Sequence, residues 1–353
     1  MPDCTRLSEL DGFNDYAKLI EEETAWKSTE LEHCQFELCS AVYGTGNPDI
    51  SGIGVALGYI FATGISALLS LVAVVVGRWQ SARAYRAAAA TTTGLQSFYQ
   101  SATYFAIAVQ LATISSLTHK DFGISTSDFG AIEAQIAQAV SVVCMLPLLA
   151  PLVLLDGIDG ESWRNPRLFL LHLVVALSFY PFLSRCIQWF APSPIGDGRG
   201  AVVSFADWNT VERICFADGL DKLRDDSLYA SAGILELLSS LVVYLFTLWY
   251  LLGLIGTGHG ARKGKIRSIH AKWNKLNAWI GGRFYLVLML QAIPFVLSIL
   301  LYIIIFRLRS TQQELVTRMT IGYNGNNWGF GQIIATVIFL PVFIDVFYSL
   351  WLK

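Results

Sequence analysis

Three ionisable side chains interrupt stretches of sequence that are otherwise apolar: Glu133, Glu236 and Asp345. A charged group is costly inside a bilayer, so such residues generally face a cavity or a partner. Burial disfavours the ionised form of a carboxyl group, and a carboxyl that stays protonated can act as a general acid. We therefore predict that Glu236, Glu133 and Asp345 are catalytic residues. The alternative is a structural role, at the membrane interface or in hydrogen bonds between helices.

Polar and aromatic side chains in the same segments predict a small-molecule pocket. Such sites are typically apolar, with a few convergent polar groups. A proton donor in a dry, aromatic pocket suits the protonation of an epoxide or an alkene. Aromatic faces stabilise the carbocation that follows, and the pocket keeps water away from it. The predicted substrate-binding residues are Gln110, Gln138, Tyr244, Tyr302, Asn327, Trp328 and Gln332.

Motifs for cofactor or metal chemistry are missing from the sequence. It contains no G-x-x-x-x-G-K-[ST] loop, no G-x-G-x-x-G after a strand, no H-E-x-x-H and no C-x-x-C. A D-D-x-x-D metal box and a G-x-S-x-G nucleophile elbow are also missing. We therefore expect no cofactor and no metal site, and an acid-catalysed reaction.

The elements that position these residues follow from the composition. Of 353 residues, 54% are hydrophobic and only 15% are charged. A soluble domain carries about a quarter charged residues, so the chain is predicted to be a polytopic membrane protein with the lipid bilayer as its partner. The 25 basic and 27 acidic residues nearly balance, which argues against nucleic-acid binding.

The predicted fold class is all-α, with seven transmembrane helices. A helix needs about 20 apolar residues to cross the core of a bilayer. Seven segments are predicted to cross, and we expect Pro181 to end the fourth of them early. They are Ile53–Val76, Phe98–Leu117, Ala131–Leu155, Leu168–Leu183, Leu228–Ile255, Phe284–Phe306 and Gly331–Leu352.

Basic residues near the ends of the spans predict the orientation, because Lys and Arg favour the cytosolic side. Arg78, Arg83 and Arg86 follow the first span, and the loop at 256–283 after the fifth span is also basic. Both loops are therefore placed in the cytosol, together with the C-terminus. The N-terminus is predicted to lie outside or in a lumen.

The chain is then divided into two parts. Residues 1–50 form an acidic, non-cytosolic N-terminal cap, and residues 51–353 form the seven-helix membrane domain, with a long non-cytosolic loop at 184–227. Residues 14–37 have the spacing of an amphipathic helix. The long loop contains a second helical pattern, whose apolar side comprises Val211, Ile214, Cys215, Leu220 and Leu223.

The cysteines agree with this orientation. Cys144 lies in the third span, where a thiol behaves as a small apolar group. The other five lie on the predicted non-cytosolic side, which can be oxidising. The economical pairings are Cys34 with Cys39 and Cys186 with Cys215, although the sequence does not determine connectivity and unpaired thiols are the alternative.

The segment from Asn327 to Ala335, N-W-G-F-G-Q-I-I-A, resembles a W-x-F-G-Q-[IV]-x-A pattern. That pattern begins the last span of many polytopic proteins from filamentous fungi. Together with the chain length and the seven spans, it is similar to membrane-bound terpene cyclases of fungal meroterpenoid pathways, of the ascochlorin and ascofuranone type. The resemblance implies a prenylated aromatic substrate with a terminal epoxide, which protonation opens so that the farnesyl-type chain closes to a ring.

Further expectations accompany this resemblance. We expect the protein to reside in the endoplasmic reticulum or another endomembrane, and other enzymes of the pathway are conceivable partners. Two other functions fit the topology. A seven-helix receptor fits the orientation, although no D/E-R-Y-like triplet follows the third span and no N-P-x-x-Y occurs in the seventh. A transporter fits less well, because no internal repeat is evident.

Overall fold

The computed structural model describes Cys4 and residues 33–43, 48–76, 82–119, 132–159, 161–190, 205–215, 226–257, 284–318 and 330–351. These residues form an all-helical structure, and no strand occurs among them. The helices are α1 (Gln35–Tyr43), α2 (Pro48–Ser51), α3 (Ile53–Val76), α4 (Ala82–His119), α5 (Ile132–Val143), α6 (Leu146–Asp159), α7 (Glu161–Phe190), α8 (Phe205–Cys215), α9 (Asp226–Thr257), α10 (Phe284–Arg318), α11 (Phe330–Val337) and α12 (Leu340–Trp351).

Six segments of the described chain are long and apolar enough to cross a bilayer, which defines a multi-pass membrane protein. Many large apolar side chains also point away from the protein interior, as Leu238, Leu241 and Leu245 do on α9. Such a surface suits lipid tails and would be costly in water. The six segments are Ile53–Val76, Ile132–Leu155, Leu168–Ile187, Ser231–Trp249, Gln291–Glu314 and Gly331–Trp351.

The predicted second span, Phe98–Leu117, lies within α4 but is not one of these six segments. It is helical throughout, and α4 packs against α3, α5, α6, α7 and α12. Glutamine, serine and threonine side chains lower its hydropathy, because this helix directs polar groups at its neighbours. Gln110, Thr103 and Thr113, for example, are fully buried.

Five long helices surround one central helix. α3, α4, α7, α9 and α10 pack against one another in a closed ring, and each also packs against α5 or α6, which together form the third predicted span. In an apolar 18-residue window of Ile132–Leu155, 83% of the residues are buried, compared with 22% to 39% in the corresponding windows of the other five segments. The central helix therefore contributes to the contacts of every helix in the ring.

The last span lies outside this ring. α11 packs against α3, and α12 packs against α4. A Cβ on Gly58 of α3 would lie 2.9 Å from the carbonyl oxygen of Ala335 in α11. The missing side chain of Gly58 therefore lets the two backbones approach closely, as small residues commonly do between membrane helices.

Proline interrupts two of the membrane segments at the positions that its chemistry requires. A proline lacks the amide hydrogen, and its ring clashes with the carbonyl four residues earlier. Pro147 follows the end of α5 at Val143 by four residues, and Pro341 follows the end of α11 at Val337 by the same interval. Each segment resumes as a helix, so the bilayer is spanned by two half-helices in each case.

Pro181 does not end the fourth span, contrary to the prediction. α7 continues from Glu161 to Phe190, and its apolar segment extends to Ile187. A proline costs a helix one hydrogen bond, and packing against the central helix, α4 and α9 compensates for that loss here. The consequence is that Arg185 lies on a membrane helix and not in a loop.

Two short helices form a cap at one end of the bundle, which we call the cap end: α3 and α5 begin there and α7 ends there. α1 packs against α8, and Gln35 Nε2 donates a hydrogen bond to the carbonyl oxygen of Ile214 at 2.6 Å. Val211 and Cys215 are fully buried and Ile214 is packed against the core. Residues 14–32, Leu220, Leu223 and the basic stretch of the 256–283 loop lie outside the described residues.

The disulfides differ from the predicted pairings. Cys4 is bonded to Cys34, and Cys39 is bonded to Cys215, which joins α1 to α8. Cys34 lies immediately before α1, and Cys39 lies within it. In a helix, five residues separate two side chains by about 7.5 Å along the axis and turn them to different sides. That distance exceeds what a disulfide tolerates. Cys186, within α7, is a free thiol, and its predicted partner Cys215 is bonded to Cys39.

Candidate functional site

A buried ion pair joins α7 to α9 near the cap end. Arg185 Nε lies 2.9 Å from Glu236 Oε2, and only 8% and 2% of the two side chains are exposed. Both carboxyl oxygens are buried, and neither makes a hydrogen bond among the described residues, so the Oε2 contact is an ion pair by distance alone. The carboxyl group therefore directs one oxygen at the guanidinium and keeps the other available.

A small cavity lies beside this pair. Its volume is about 10 Å³, close to the minimum that one water molecule requires. Gln138 of the central helix forms part of the wall, and its Nε2 donates a hydrogen bond to Ser184 Oγ at 2.8 Å. The full lining comprises Gln138, Val142, Pro181, Phe182, Arg185, Glu236, Leu237 and Ser240.

Aromatic side chains lie next to the ion pair. The rings of Phe182 and Tyr244 meet edge to face, with their centroids 5.0 Å apart. The Tyr244 hydroxyl lies 3.2 Å from Ser178 Oγ. Phe182 lines the small cavity, so the pair of rings presents an aromatic surface close to Glu236.

Trp189 covers the ion pair on the side of the cap. A Cβ on Gly233 would lie 2.5 Å from Cζ3 of Trp189 and 3.1 Å from Nη2 of Arg185. The indole ring therefore packs directly on the backbone of α9, beside the guanidinium. Trp189 is itself 38% exposed, so it separates the pair from the surroundings of the protein.

Gln110 belongs to a second polar cluster, between α4 and the central helix. Its Nε2 donates to the carbonyl oxygen of Ser141 at 2.7 Å, and the Ser141 hydroxyl donates to Gln110 Oε1 at 2.7 Å. Glu133 lies near the cap end of the same interface, where Ser116 Oγ donates to its Oε1 at 3.4 Å. Both clusters connect helices through groups that would otherwise be buried without partners.

Tyr302 and Gln332 connect other pairs of helices. The Tyr302 hydroxyl lies 2.6 Å from Thr63 Oγ1 and donates to the carbonyl oxygen of Tyr59, so it joins α10 to α3. Gln332 Oε1 accepts a hydrogen bond of 2.9 Å from the amide of Gly54, and so joins α11 to α3. Neither residue lines the small cavity.

Asp345 lies apart from these clusters. It is half-buried on α12, which is outside the ring of helices. Asn327 and Trp328 lie outside the described residues. Among the predicted site residues, Glu236 and Gln138 therefore line one cavity, and Tyr244 packs against Phe182 of its wall. The others that the structure describes lie at other helix contacts: Gln110, Glu133, Tyr302, Gln332 and Asp345.

Sequence reasoning missed Arg185. The predicted non-cytosolic loop at 184–227 includes Arg185, because Pro181 is expected to end the fourth span before it. One signal was available: the sequence after Pro181 remains apolar as far as Phe190, apart from Ser184, Arg185 and Gln188.

A larger cavity, which the sequence did not indicate, lies between α3, α6 and α10. We call it the lateral groove; its volume is about 320 Å³. Its lining comprises Thr63, Ser66, Ala67, Leu68, Ser70, Leu71, Leu146, Pro147, Ala150, Gln291, Ala292, Pro294, Phe295 and Ser298. Within the described part of the chain, no group of three or more His, Cys, Asp or Glu side chains is arranged to hold a metal ion.

The fold and these sites define a helical, multi-pass membrane protein with a buried carboxyl–guanidinium pair. Comparison with family models, with curated proteins and with solved structures finds no match of any of the three kinds. The function must therefore be argued from the site itself.

Proposed function

We propose that this protein is a membrane-embedded terpene cyclase that acts on a prenylated aromatic compound with a terminal epoxide, as in fungal meroterpenoid biosynthesis. The observation that carries the proposal is the carboxyl group of Glu236, which is buried within a membrane segment, keeps one oxygen without a hydrogen-bond partner, and lies beside aromatic rings. A buried proton donor next to aromatic faces is what an acid-initiated cyclisation requires.

In the proposed reaction, Glu236 begins as a neutral carboxylic acid in contact with Arg185 and donates its proton to the epoxide oxygen. The carbon–oxygen bond breaks and leaves a hydroxyl group and a tertiary carbocation. The electron pair of a neighbouring alkene then forms the new carbon–carbon bond. The last cation loses a proton to give an isomer of the substrate, and that proton returns the Glu236 carboxylate to its acid form. No redox partner and no second substrate are needed.

Arg185 has a positioning role in this reaction. Proton transfer leaves Glu236 as a carboxylate, and the guanidinium at 2.9 Å stabilises that charge through a charge-assisted contact. Phe182 and Tyr244 supply π-faces near the carbocation. Glu133 and Asp345 are the alternative acids. Gln138 lines the same cavity as Glu236 and orients the epoxide.

The substrate must open the site before it reacts, because a cavity of about 10 Å³ does not hold a prenyl chain. Trp189 is the side chain that can make room. It lies on Gly233 next to Arg185 and is 38% exposed, so its ring can swing outward without disturbing the central helix. Closure of Trp189 over the bound chain would then exclude water from the cation.

The proposal includes a topology of seven spans, with α4 as the second. α4 occupies a place in the ring between α3 and α7, and both partners carry membrane segments. The two disulfides lie in the described cap, at Cys4–Cys34 and Cys39–Cys215, and disulfides persist in oxidising compartments. We therefore place the cap in a lumen or outside, the C-terminus in the cytosol, and the protein in the endoplasmic reticulum or another endomembrane.

The test of the function uses microsomes from yeast that express the full chain. Epoxyfarnesylated phenolic acids and aldehydes are supplied, and products of unchanged mass and new retention are sought by mass spectrometry. The parent is expected to form an isomer, and Glu236→Gln is expected to lower its rate by about 100-fold or more, as loss of a general acid does. Glu133→Gln and Asp345→Asn are matched variants that each remove one carboxyl group elsewhere.

Each result has a definite meaning. If the isomer forms equally well with Glu236→Gln, the protein is a cyclase whose general acid is another residue. That acid is then Glu133 or Asp345, whichever variant loses activity. Failure of the well-expressed parent to convert any of several epoxides overturns the cyclase proposal. G-protein coupling in yeast or uptake of solutes into proteoliposomes would then identify a receptor or a transporter.

The topology is tested separately. A glycosylation acceptor inserted between residues 191 and 204 should be modified, because this stretch precedes α8 on the cap side. An acceptor inserted between residues 258 and 283 should remain unmodified. The reverse pattern would contradict the proposed orientation while leaving the chemistry of Glu236 untouched.

A further inference from the structure

The lateral groove opens on the outward-facing side of the bundle, where apolar side chains are exposed. Leu68 and Leu71 of α3 and Phe295 of α10 form its rim, and their side chains are 61%, 50% and 39% exposed. Leu146, on the central helix, forms part of the floor and is fully buried. A ligand would therefore enter sideways from the bilayer.

Proline and alanine create the space. Pro147 breaks the central helix between α5 and α6, and Pro294 lies inside α10. Both line the groove, together with the small side chains of Ala67, Ala150 and Ala292. The resulting volume of about 320 Å³ falls within the range of small-molecule sites, about 300–1,000 Å³.

Three of the polar groups that line the groove are bonded within the protein. Thr63 Oγ1 contacts the Tyr302 hydroxyl at 2.6 Å. Ser66 Oγ donates to the carbonyl oxygen of Pro147, and Ser298 Oγ donates to that of Pro294. These three groups have partners, so none of them requires a ligand.

Two other lining groups remain without partners. Ser70 Oγ and Gln291 Nε2 are buried atoms, and neither has a hydrogen-bond partner among the described residues. The Ser70 residue as a whole is only 2% exposed. Buried polar groups in native proteins are bonded in the great majority of cases, and a molecule bound in the groove would supply partners for both of these groups.

We propose that the lateral groove binds a neutral amphiphile drawn from the bilayer, with an apolar chain and one uncharged carbonyl or hydroxyl head. The head accepts a hydrogen bond from Gln291 Nε2 and exchanges one with Ser70 Oγ, while the chain lies against Leu68, Leu71 and Phe295. The head is neutral because none of the residues that line the groove carries a charge. A phospholipid acyl chain would fill the same space but satisfy neither polar group.

This site is separate from the proposed reaction. It shares no lining residue with the cavity beside Glu236, and its occupant need not react. The inference therefore stands whether or not the protein is a cyclase.

Photolabelling of the full chain in lipid nanodiscs tests the inference. Three probes carry the same photoreactive group: a neutral long-chain alkylphenol, a fatty acid with an ionised carboxylate, and a phosphatidylcholine. Labelled residues are located by peptide mass spectrometry. The alkylphenol is expected to label α3 and α10 at the groove, and unlabelled alkylphenol should compete with it. The other two probes should label the general lipid-facing surface without preference for the groove.

Variants identify the groups that bind the head. Gln291→Leu and Ser70→Ala should each raise the alkylphenol concentration at half-saturation by about 2- to 10-fold, the effect of losing one hydrogen bond. Ala67→Phe and Ala150→Phe, on different helices, fill the groove and should abolish saturable labelling. Gly64→Ala is the matched control on α3, because a Cβ there meets nothing within 4 Å.

Several results would overturn the inference. Saturable labelling by the alkylphenol elsewhere would place its binding site outside the groove. Equal labelling of the groove by phosphatidylcholine would show that ordinary lipid occupies this space. Unchanged half-saturation in both Gln291→Leu and Ser70→Ala would show that the two polar groups bind nothing. The competition experiment on the parent protein remains decisive even if the phenylalanine variants do not fold.

Discussion

The cap end and the lateral groove differ in how much space surrounds their buried polar groups. At the cap end, Arg185 is paired with Glu236 at 2.9 Å, and the cavity between them holds no more than about 10 Å³. In the groove, Ser70 and Gln291 each keep a polar atom without a partner beside a cavity of about 320 Å³. Glu236 Oε1 also has no hydrogen-bond partner in the described part of the chain, so the two regions differ in available space: the cap-end cavity is the size of one water molecule, whereas the groove has room for a larger ligand.

The difference has a packing origin. Near the cap end, Gly58 and Gly233 let neighbouring helices and the Trp189 ring approach to van der Waals distance. At the groove, Pro147 and Pro294 disturb the two helices that would otherwise close the gap. Close packing leaves room for about one water molecule beside Glu236, whereas open packing leaves room for a larger molecule beside Ser70 and Gln291.

Removing one member of the ion pair should have the largest effect. Arg185→Leu leaves the Glu236 carboxyl buried without its partner, and we expect a loss of about 3–5 kcal/mol in the free energy of unfolding. The double variant Arg185→Leu with Glu236→Leu should recover most of that loss, because both charges are gone. Unfolding in detergent, titrated with SDS, provides the measurement. A loss below about 1 kcal/mol in the single variant would mean that water reaches the pair, as in exposed ion pairs.

The disulfide between the two cap helices should contribute next. The double variant Cys39→Ser with Cys215→Ser is expected to lower the free energy of unfolding by about 2–4 kcal/mol. Cys186→Ser is the control, because this thiol is free. Labelling of the groove should not change in either variant. Loss of groove labelling in the cap variant would contradict the independence of the two regions.

A pair of glycines on α3 compares the packing directly. Gly58→Ala places a Cβ 2.9 Å from a backbone oxygen, which cannot move cheaply, so we expect a loss of about 1–3 kcal/mol. Gly64→Ala meets open space and should leave stability unchanged or raise it by up to about 1 kcal/mol, since alanine favours a helix over glycine. The same SDS titration measures both. Equal effects would show that the two parts of α3 do not differ in packing.

The smallest effect on stability is expected in the groove. In protein freed of amphiphile, Gln291→Leu and Ser70→Ala each remove a buried group that has no partner, so the free energy of unfolding should stay within about 0.5 kcal/mol or rise. Added alkylphenol should then stabilise the parent more than either variant, because only a ligand that binds the folded state shifts its stability. A clear loss in ligand-free protein would mean that these groups serve the fold itself.

Much of the fold was predictable from residue types. The all-helical, multi-pass architecture is confirmed, and the first, third and seventh predicted spans begin and end within one residue of the observed membrane segments. The predicted fifth and sixth spans overlap their segments, Ser231–Trp249 and Gln291–Glu314, with shifted ends. The extent of the fourth span was wrong, because a local rule about proline competed with packing on three sides of α7. The second span, although helical, differs in composition because its polar residues bond to the central helix.

The site was predictable only in part. Glu236 and Gln138 do line one cavity, but the partner of Glu236 was not foreseen, and Gln110, Tyr302 and Gln332 bond at separate helix contacts. The disulfide pairings were wrong for a related reason. The shortest separation in sequence was chosen, whereas the helical geometry of α1 turned Cys34 and Cys39 away from each other, toward partners 30 and 176 residues away.

The sequence by itself determined the class of protein and which carboxyl groups lie within apolar segments, because hydropathy acts on each residue wherever the chain goes. The tertiary structure alone decided that Arg185 meets Glu236, that Cys39 meets Cys215, and that a groove opens between α3, α6 and α10. Those outcomes depend on which helix faces meet. That choice is made by packing among many side chains at once, and no single segment of the sequence contains it.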